Sequence, residues 1–183
     1  FDYNKKKFFK ILRKQNLDLT LCKYILIRQD PPFNLEYISA TYILDAIKDK
    51  VKIINNPTSI RNVSEKLYSV KYNKFMPDTI FTQNIDEIKN FFKKHKKVIL
   101  KPIHSFSGIM CQKFLSKINK GDKRVFIING KVCGAISRVP KKGSFLSNMS
   151  KGAKPININL TKLENKISKL IAKDLKKENI FFA

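Results

Sequence analysis

The chain has 183 residues and a formal net charge of +24, from 38 Lys and Arg against 14 Asp and Glu. No stretch reaches the ~18 consecutive apolar residues of a membrane span. Nor do Phe1 to Lys7 open an apolar run with a small-residue cleavage site, so the chain reads as soluble, cytoplasmic and without a signal peptide.

Residues 4–14 read as a helix with Phe8, Phe9, Ile11 and Leu12 on its apolar stripe. Lys23 to Arg28 is a short apolar run, consistent with a buried strand, and Asp30-Pro31-Pro32-Phe33 ends it. A helix over 34–48 follows, capped by Asn34, with Leu35, Ile38, Tyr42 and Ala46 on one face. Val51 to Ile54 is the next strand, closed by Asn55-Asn56-Pro57. This alternation is an α/β signature.

The pattern then continues with a helix over 64–73, a strand at 79–82 and a helix from Asn84. A strand over 97–101 leads into the polar loop Ile103 to Gly108, and 109–115 is again strand-like. Residues 123–128 and 131–138 form a β-hairpin on the Asn129-Gly130 turn. A long polar loop over 140–155 precedes a helix over 162–177, introduced by Thr161 with Glu164. Ile180 to Ala183 reads as the start of a strand, and the domain boundary falls near 56–65.

Cys22, Cys111 and Cys133 lie in apolar runs without CxxC spacing, and read as buried, reduced thiols. The lysines are spread along the whole chain, with no RNP-type, zinc-finger or helix-turn-helix pattern, which argues against dedicated nucleic-acid binding. His95 lies in a Lys-rich helix end and reads as solvated; neither it nor His104 has metal-ligand spacing.

Lys101 ends a strand, precedes Pro102 and opens the Ser-Phe-Ser-Gly loop. It is either a solvated strand-end lysine or a cation over an anion held by loop N–H groups. Arg124 sits on the strand face opposite Lys123 and Val125, and Arg138 closes the partner strand. The two arginines are either a clamp for carboxylate or phosphate or unrelated surface groups. Asp30 is a turn former or a substrate-facing group. Between Glu87 and Glu164 the only acid is Asp122, and a magnesium–nucleotide site needs one or two carboxylates. No metal site follows from these residues.

Six short motifs, in order, resemble the bacterial-type glutathione synthetases, a family of ATP-grasp ligases. They are Arg28-Gln29-Asp30-Pro31-Pro32-Phe33, with Tyr37 and Ala40 to Leu44, and Asn56-Pro57 with Ser59-Ile60-Arg61 and Glu65-Lys66-Leu67. Ile99-Leu100-Lys101-Pro102, Gly121-Asp122-Lys123-Arg124-Val125 and Arg138-Val139-Pro140 complete the set. The similarity runs from about Leu19 to Ala183.

The resemblance implies an α/β (α+β) ATP-grasp fold. Residues 1–63 would be a partial N-terminal pre-ATP-grasp domain and 64–183 a partial ATP-grasp domain. It further implies a ligase joining glycine to γ-glutamylcysteine, with ATP and Mg2+ (or Mn2+), as a homotetramer with no membrane or nucleic-acid partner. Lys66, Lys101, Ser107 and Gly108 would meet the nucleotide phosphates, and Gln112, Lys113, Phe114 and Leu115 would form the adenine hinge. Arg124 and Arg138 would be the catalytic cations, and Arg28, Asp30 and Asn148 would face substrate.

Departures accompany the likeness. The family's glycine-rich loop reads His104-Ser105-Phe106-Ser107-Gly108, and its Thr-Arg-Gly-Asn reads Phe145-Leu146-Ser147-Asn148. A lid segment of the family would fall between Gly108 and Ile109, and its metal-holding acids beyond Ala183. The chain therefore reads as part of a longer protein, with a truncated, ATP-binding pseudoenzyme as the alternative.

Overall fold

The computed structural model describes residues 11–29, 32–103 and 108–183. Strand β1 (Tyr24–Leu26), helix α1 (Leu35–Asp45) and strand β2 (Lys52–Ile54) form a unit in which the two strands pair in parallel, Tyr24 opposite Lys52. Asn34 caps α1 as its composition predicts, accepting from the Tyr37 N–H at 3.0 Å. The expected apolar face is not the covered one. Leu35, Tyr42 and Ala46 are exposed, and Thr41 at 1% exposure is the buried residue of the helix. Apolar residues surround α1, so periodicity alone does not select its packed side.

Helix α2 (Pro57–Asn62) begins with proline at its first position, where the lost N–H costs nothing. Asn56 caps it from Oδ1 to the Ser59 N–H at 3.1 Å. The helix expected over 64–73 is a 3-10 segment, Tyr68–Phe75. Tyr72 leaves helical geometry there, and its hydroxyl donates to Asp174 at 2.9 Å.

Strands β3 (Thr79–Thr82), β4 (Val98–Pro102) and β5 (Ile109–Lys113) form an antiparallel sheet ordered β3-β5-β4, with α3 (Ile85–His95) between the first two in sequence. The His95 side chain is covered, at 5% exposure, contrary to the solvated reading. Its ring packs on Phe91 at 4.4 Å, and Nε2 lies 3.4 Å from Asp78. His104 lies outside the described residues.

Strands β6 (Asp122–Ile128), β7 (Lys131–Val139) and β8 (Lys154–Asn157) form the third sheet, in that order. Asn129 and Gly130 both have positive φ, as a two-residue hairpin turn demands. The loop expected over 140–155 contains a 3-10 turn, Met149–Lys151, and ends in β8. Helix α4 (Lys162–Lys177) starts at a reciprocal capping box between Thr161 and Glu164.

The core joins the third sheet to the first unit. Ile127, Ala172, Leu175 and Ile180 are buried together, and Val125, Ile171, Ile60, Val63 and Tyr68 pack around them. Each fully buried Ile or Leu contributes about 1.5–3 kcal/mol. The last residues do act as a strand: Phe182 bridges Ile128, and Ala183 exchanges backbone hydrogen bonds with Ile127. Asn55 holds them from the first unit, accepting from the Phe181 and Phe182 N–H groups at 2.7 and 2.8 Å.

Two further sequence expectations need amendment. Residues 11–14 carry no helix, and the remainder of 4–14 lies outside the described residues. Cys111 is buried and Cys22 half-buried, but Cys133 is exposed. It is the residue skipped between the Phe126–Gly134 and Ile127–Val132 pairs, a β-bulge in the hairpin.

Candidate functional site

The β6–β7 register sets the first constellation. Asp122 pairs with Arg138 and Arg124 with Ile136, so all four share one face of the hairpin. The opposite face, with Val125 and Ile127, is covered by α4, and Lys123 pairs with Glu164 there at 2.6 Å. The expectation that Arg124 points away from Lys123 and Val125 therefore holds. Gly121 makes the approach possible: a Cβ there would lie 2.1 Å from Ser137 Oγ.

Asp122 ties the two arginines together. Its Oδ2 accepts from Arg138 Nη2 and lies 3.3 Å from Arg124 Nε. The Arg138 side chain is 16% exposed and Arg124 56%, so one guanidinium is fixed and the other open to solvent. Arg138 Nε is buried without a hydrogen-bond partner. A buried donor left unpaired costs about 1–3 kcal/mol.

The second constellation lies on the β3-β5-β4 sheet. Lys101 Nζ donates to Gln112 Oε1 at 3.2 Å, and Gln112 Nε2 donates to Thr79 Oγ1 at 3.0 Å. Lys101 is thus partly covered and engaged, rather than a freely solvated strand end. In the expected hinge, the Lys113 N–H donates to Asp78 O and the Phe114 N–H to Lys97 O. Leu115 O accepts from the Ile118 N–H, and its side chain is exposed. Gly108 O accepts from the Ile103 N–H, and Ser107 lies outside the described residues.

Lys66 lines a groove with Gln29, Phe33, Tyr37, Val63 and Ile103. Ile103 is two residues past Lys101, so the β4 end reaches this groove. The cavity is about 220 Å³, below the roughly 300–1,000 Å³ of most small-molecule sites, and accommodates only part of a nucleotide. It opens at Tyr37, Ser64 and Glu65 into a larger hollow walled by Ile171, Leu175 and Ile180. Arg28 lines a neighbouring hollow with Phe126 and Phe182, and Gln29 is common to both.

The structure thus joins Arg124 to Arg138 and Lys101 to Gln112, and leaves Lys66, Lys101 and Arg124 in three local settings. Asp30 lies outside the described residues. Asn148 is exposed, and its carbonyl accepts from the Lys151 and Ala153 N–H groups. Sequence reasoning did not foresee Asp122 as the tie between the arginines, nor Asn55 as the clamp on the last residues. The Asn55-Asn56-Pro57 run was the available signal, since two adjacent asparagines before a helix-starting proline have separate work.

Among the described residues no group of three or more His, Cys, Asp or Glu side chains comes together. Four acids are each engaged by a neighbour, Asp45 with Arg61, Asp122 with the two arginines, Glu164 with Lys123 and Asp174 with Tyr72, while Glu65 lines the groove beside Lys66. The four engaged acids do not by themselves assemble a magnesium site. Titration shifts fall mostly on structural contacts. The Arg61 guanidinium, first, holds the Asp45 carboxyl down at about 2. Burial, then the Asp174 contact, raises the Tyr72 hydroxyl, and burial raises the Cys111 thiol. No helix among the described residues is long and apolar enough to cross a membrane.

Comparison with known proteins gives concordant matches. Residues 1–61 match the family model described as prokaryotic glutathione synthetase, N-terminal domain. Residues 65–109 and 104–183 match the ATP-grasp domain of the same family, in two pieces that meet at the β4–β5 loop. A glutathione synthetase of Bradyrhizobium diazoefficiens is 32% identical over 185 residues, covering 86% of this chain and 59% of the relative. The chain spans about three fifths of that relative's length. Among solved structures, D-cycloserine synthetase DcsG superposes with a TM-score of 0.66 at 8% identity, over 92% of this chain and 70% of that one. The ATP-grasp ligase PsnB, complexed with a phosphomimetic variant of its minimal precursor, Mg and ADP, gives 0.58 at 14% identity, over 81% and 54%. At these identities the structural likeness shows the ATP-grasp fold alone.

Proposed function

The chain belongs to the prokaryotic glutathione synthetase family, and from that premise we propose that it acts as an ATP-dependent carboxylate–amine ligase joining glycine to γ-glutamylcysteine. In this reading a carboxylate oxygen of the dipeptide attacks the ATP γ-phosphorus, giving an acyl phosphate and ADP. The glycine amine then attacks the acyl carbon, phosphate leaves with the C–O electron pair, and the amine proton passes to solvent. Neither step needs a Cys or His nucleophile, which agrees with the buried settings of Cys111 and His95.

The residues divide the work by charge. Lys66, with Lys101 at the β4 end, would hold nucleotide phosphates, and Gln112 to Leu115 would border the adenine. Arg138, fixed by Asp122, would present its guanidinium charge to a developing oxyanion, with Arg124 closing from the solvent side. Gly108 and Ser107 belong to the phosphate loop, and Arg28, Asp30 and Asn148 to the dipeptide. Magnesium, when bound, would screen the phosphates; the steps assigned to this chain's residues do not pass through it. Cytoplasmic location and a homotetrameric state belong to the same reading.

The observation that carries it is the ordered match of both domain models along the chain. Phosphate release from ATP, with γ-glutamylcysteine and glycine omitted in turn, tests it on the full-length gene product. Release dependent on both substrates supports the ligase. That no cluster of acids forms among the described residues favours one second reading, a nucleotide-binding protein without turnover; ATP binding with no phosphate release would select it.

A further inference from the structure

Lys162, Lys166, Lys169, Lys173, Lys176 and Lys177 recur every three or four residues along α4, and all are exposed. At 3.6 residues per turn they fall within an arc of about 100° on a helix about 24 Å long. The buried residues Ser168, Ala172 and Leu175 occupy the other side. Lysines that look scattered in the sequence are therefore aligned in one stripe.

The stripe is not neutralised. Among the described residues its ion pairs reduce to Lys177 with Asp174 at 4.0 Å. The helix's two acids stand off it: Glu164 serves the cap and Lys123, and Asp174 accepts from Tyr72. Successive lysines three and four apart repel one another, and Lys162 sits in the N-terminal turn, where the helix dipole disfavours cations. The ends of α4 otherwise follow the dipole, with Glu164 in the first turn and Lys176 and Lys177 in the last, so the chief unfavourable term is the repulsion between neighbouring lysines along the stripe. That repulsion opposes the α4 stripe, and a polyanion laid along the helix would relieve it.

We propose that the exposed face of α4 binds the phosphodiester backbone of nucleic acid without sequence preference. A narrow line of ammonium groups matches a line of phosphates, and lysine, as a point charge, positions a backbone without reading bases. An anionic bilayer fits less well. A membrane-surface helix needs its apolar face free, and that of α4 is spent on Ile127 and Val125. Only Leu163 and Leu170 stand exposed beside the stripe. The property is independent of the ligase reading.

Anisotropy of a labelled, mixed-sequence DNA duplex of about 24 base pairs, with the chain titrated in at about 50–200 mM salt, tests this. Affinity should fall with log salt at a slope near −5, about 0.9 for each of the lysines. Replacing Lys166→Gln, Lys169→Gln and Lys173→Gln together should reduce the slope by about 3 and the affinity at least about tenfold. The matched control, Lys93→Gln, Lys94→Gln and Lys97→Gln, should change affinity by less than about threefold. Circular dichroism melts establish that both triples fold. Equal losses in the two triples would reduce the effect to net charge and overturn the proposal. So would duplex binding unaffected by the α4 triple, or no duplex binding at all. Tighter α4-dependent capture by phosphatidylserine vesicles than by the duplex would also overturn it, in favour of a lipid surface.

Discussion

The Arg61 guanidinium lies 2.6 Å from the Asp45 carboxylate, with the two side chains 14% and 19% exposed. Arg61 also donates to Thr41 at 3.1 Å and covers the Tyr42 ring at 4.1 Å. Two of the motifs that mark the family, Ala40 to Leu44 and Asn56 to Arg61, thus interlock to fix α1 on α2. Their role in this chain is architectural.

That contact makes stability acid-sensitive. Asp45 titrates near 2 when folded, against an ordinary 3.8, so its contribution is complete above about pH 4 and is lost as pH falls towards 2. Allowing for solvent screening, about 1–2 kcal/mol is at stake. Denaturant unfolding at pH 5 and pH 2.5 should show this loss in the wild type and a smaller one in Asp45→Asn. An equal acid response in the two proteins would remove Asp45 from the account.

Arg124→Ala and Arg138→Ala should separate chemistry from folding. Loss of either guanidinium should lower kcat by about 10²–10³-fold, as for other preorganised donors to a developing oxyanion. Only Arg138→Ala should also destabilise, by about 3 kcal/mol, because it strips Asp122 of its buried partner. Parallel turnover and melting measurements check both halves; unaltered kcat in Arg124→Ala would take that residue out of the mechanism.

Lys66→Ala and Lys101→Ala should each weaken ATP binding about tenfold or more, since a hydrogen bond to a charged group contributes about 1.5–3 kcal/mol. Gln112→Ala should leave Lys101 mobile and weaken binding less. Isothermal titration with a non-hydrolysable ATP analogue provides the comparison. The idea fails for Lys66 if its removal leaves the dissociation constant unmoved.

Asn55→Ala should unfasten the last residues from the first unit. Three hydrogen bonds are lost, to the Phe181 and Phe182 N–H groups and from Nδ2 to Phe182 O at 2.9 Å. At about 1 kcal/mol net each, the cost is about 2–3 kcal/mol. Hydrogen exchange should accelerate at the amides of Ala183, Ile127 and Asn129, which depend on that strand.

The thiols should differ in reactivity. Cys133, exposed on the bulge, should react with a maleimide in the native state, and Cys111 only on unfolding. Mass mapping of the labelled sites decides it, and early labelling of Cys111 would contradict its burial.

Much of the local structure was already legible in the residues. Thr161 with Glu164, Asn84, Asn34 and the Asn129-Gly130 turn carry their own geometric instructions, and these elements begin where those residues stand. The candidate site was legible only as residue types in order: nothing local to Arg124 says that it shares a carboxylate with Arg138. That follows from a hairpin register that brings residues 122 and 138 opposite each other.

By itself the sequence determined the caps, the turns, most element types and family membership, because those depend on contacts within a few residues or on motif order. The tertiary structure alone decided which faces are covered. It buried Thr41 rather than Tyr42, turned His95 inward, exposed Cys133 at a bulge and aligned the α4 lysines away from the core. Burial is set by whichever surface arrives from elsewhere in the chain, and an amphipathic pattern read along one segment does not encode that arrival.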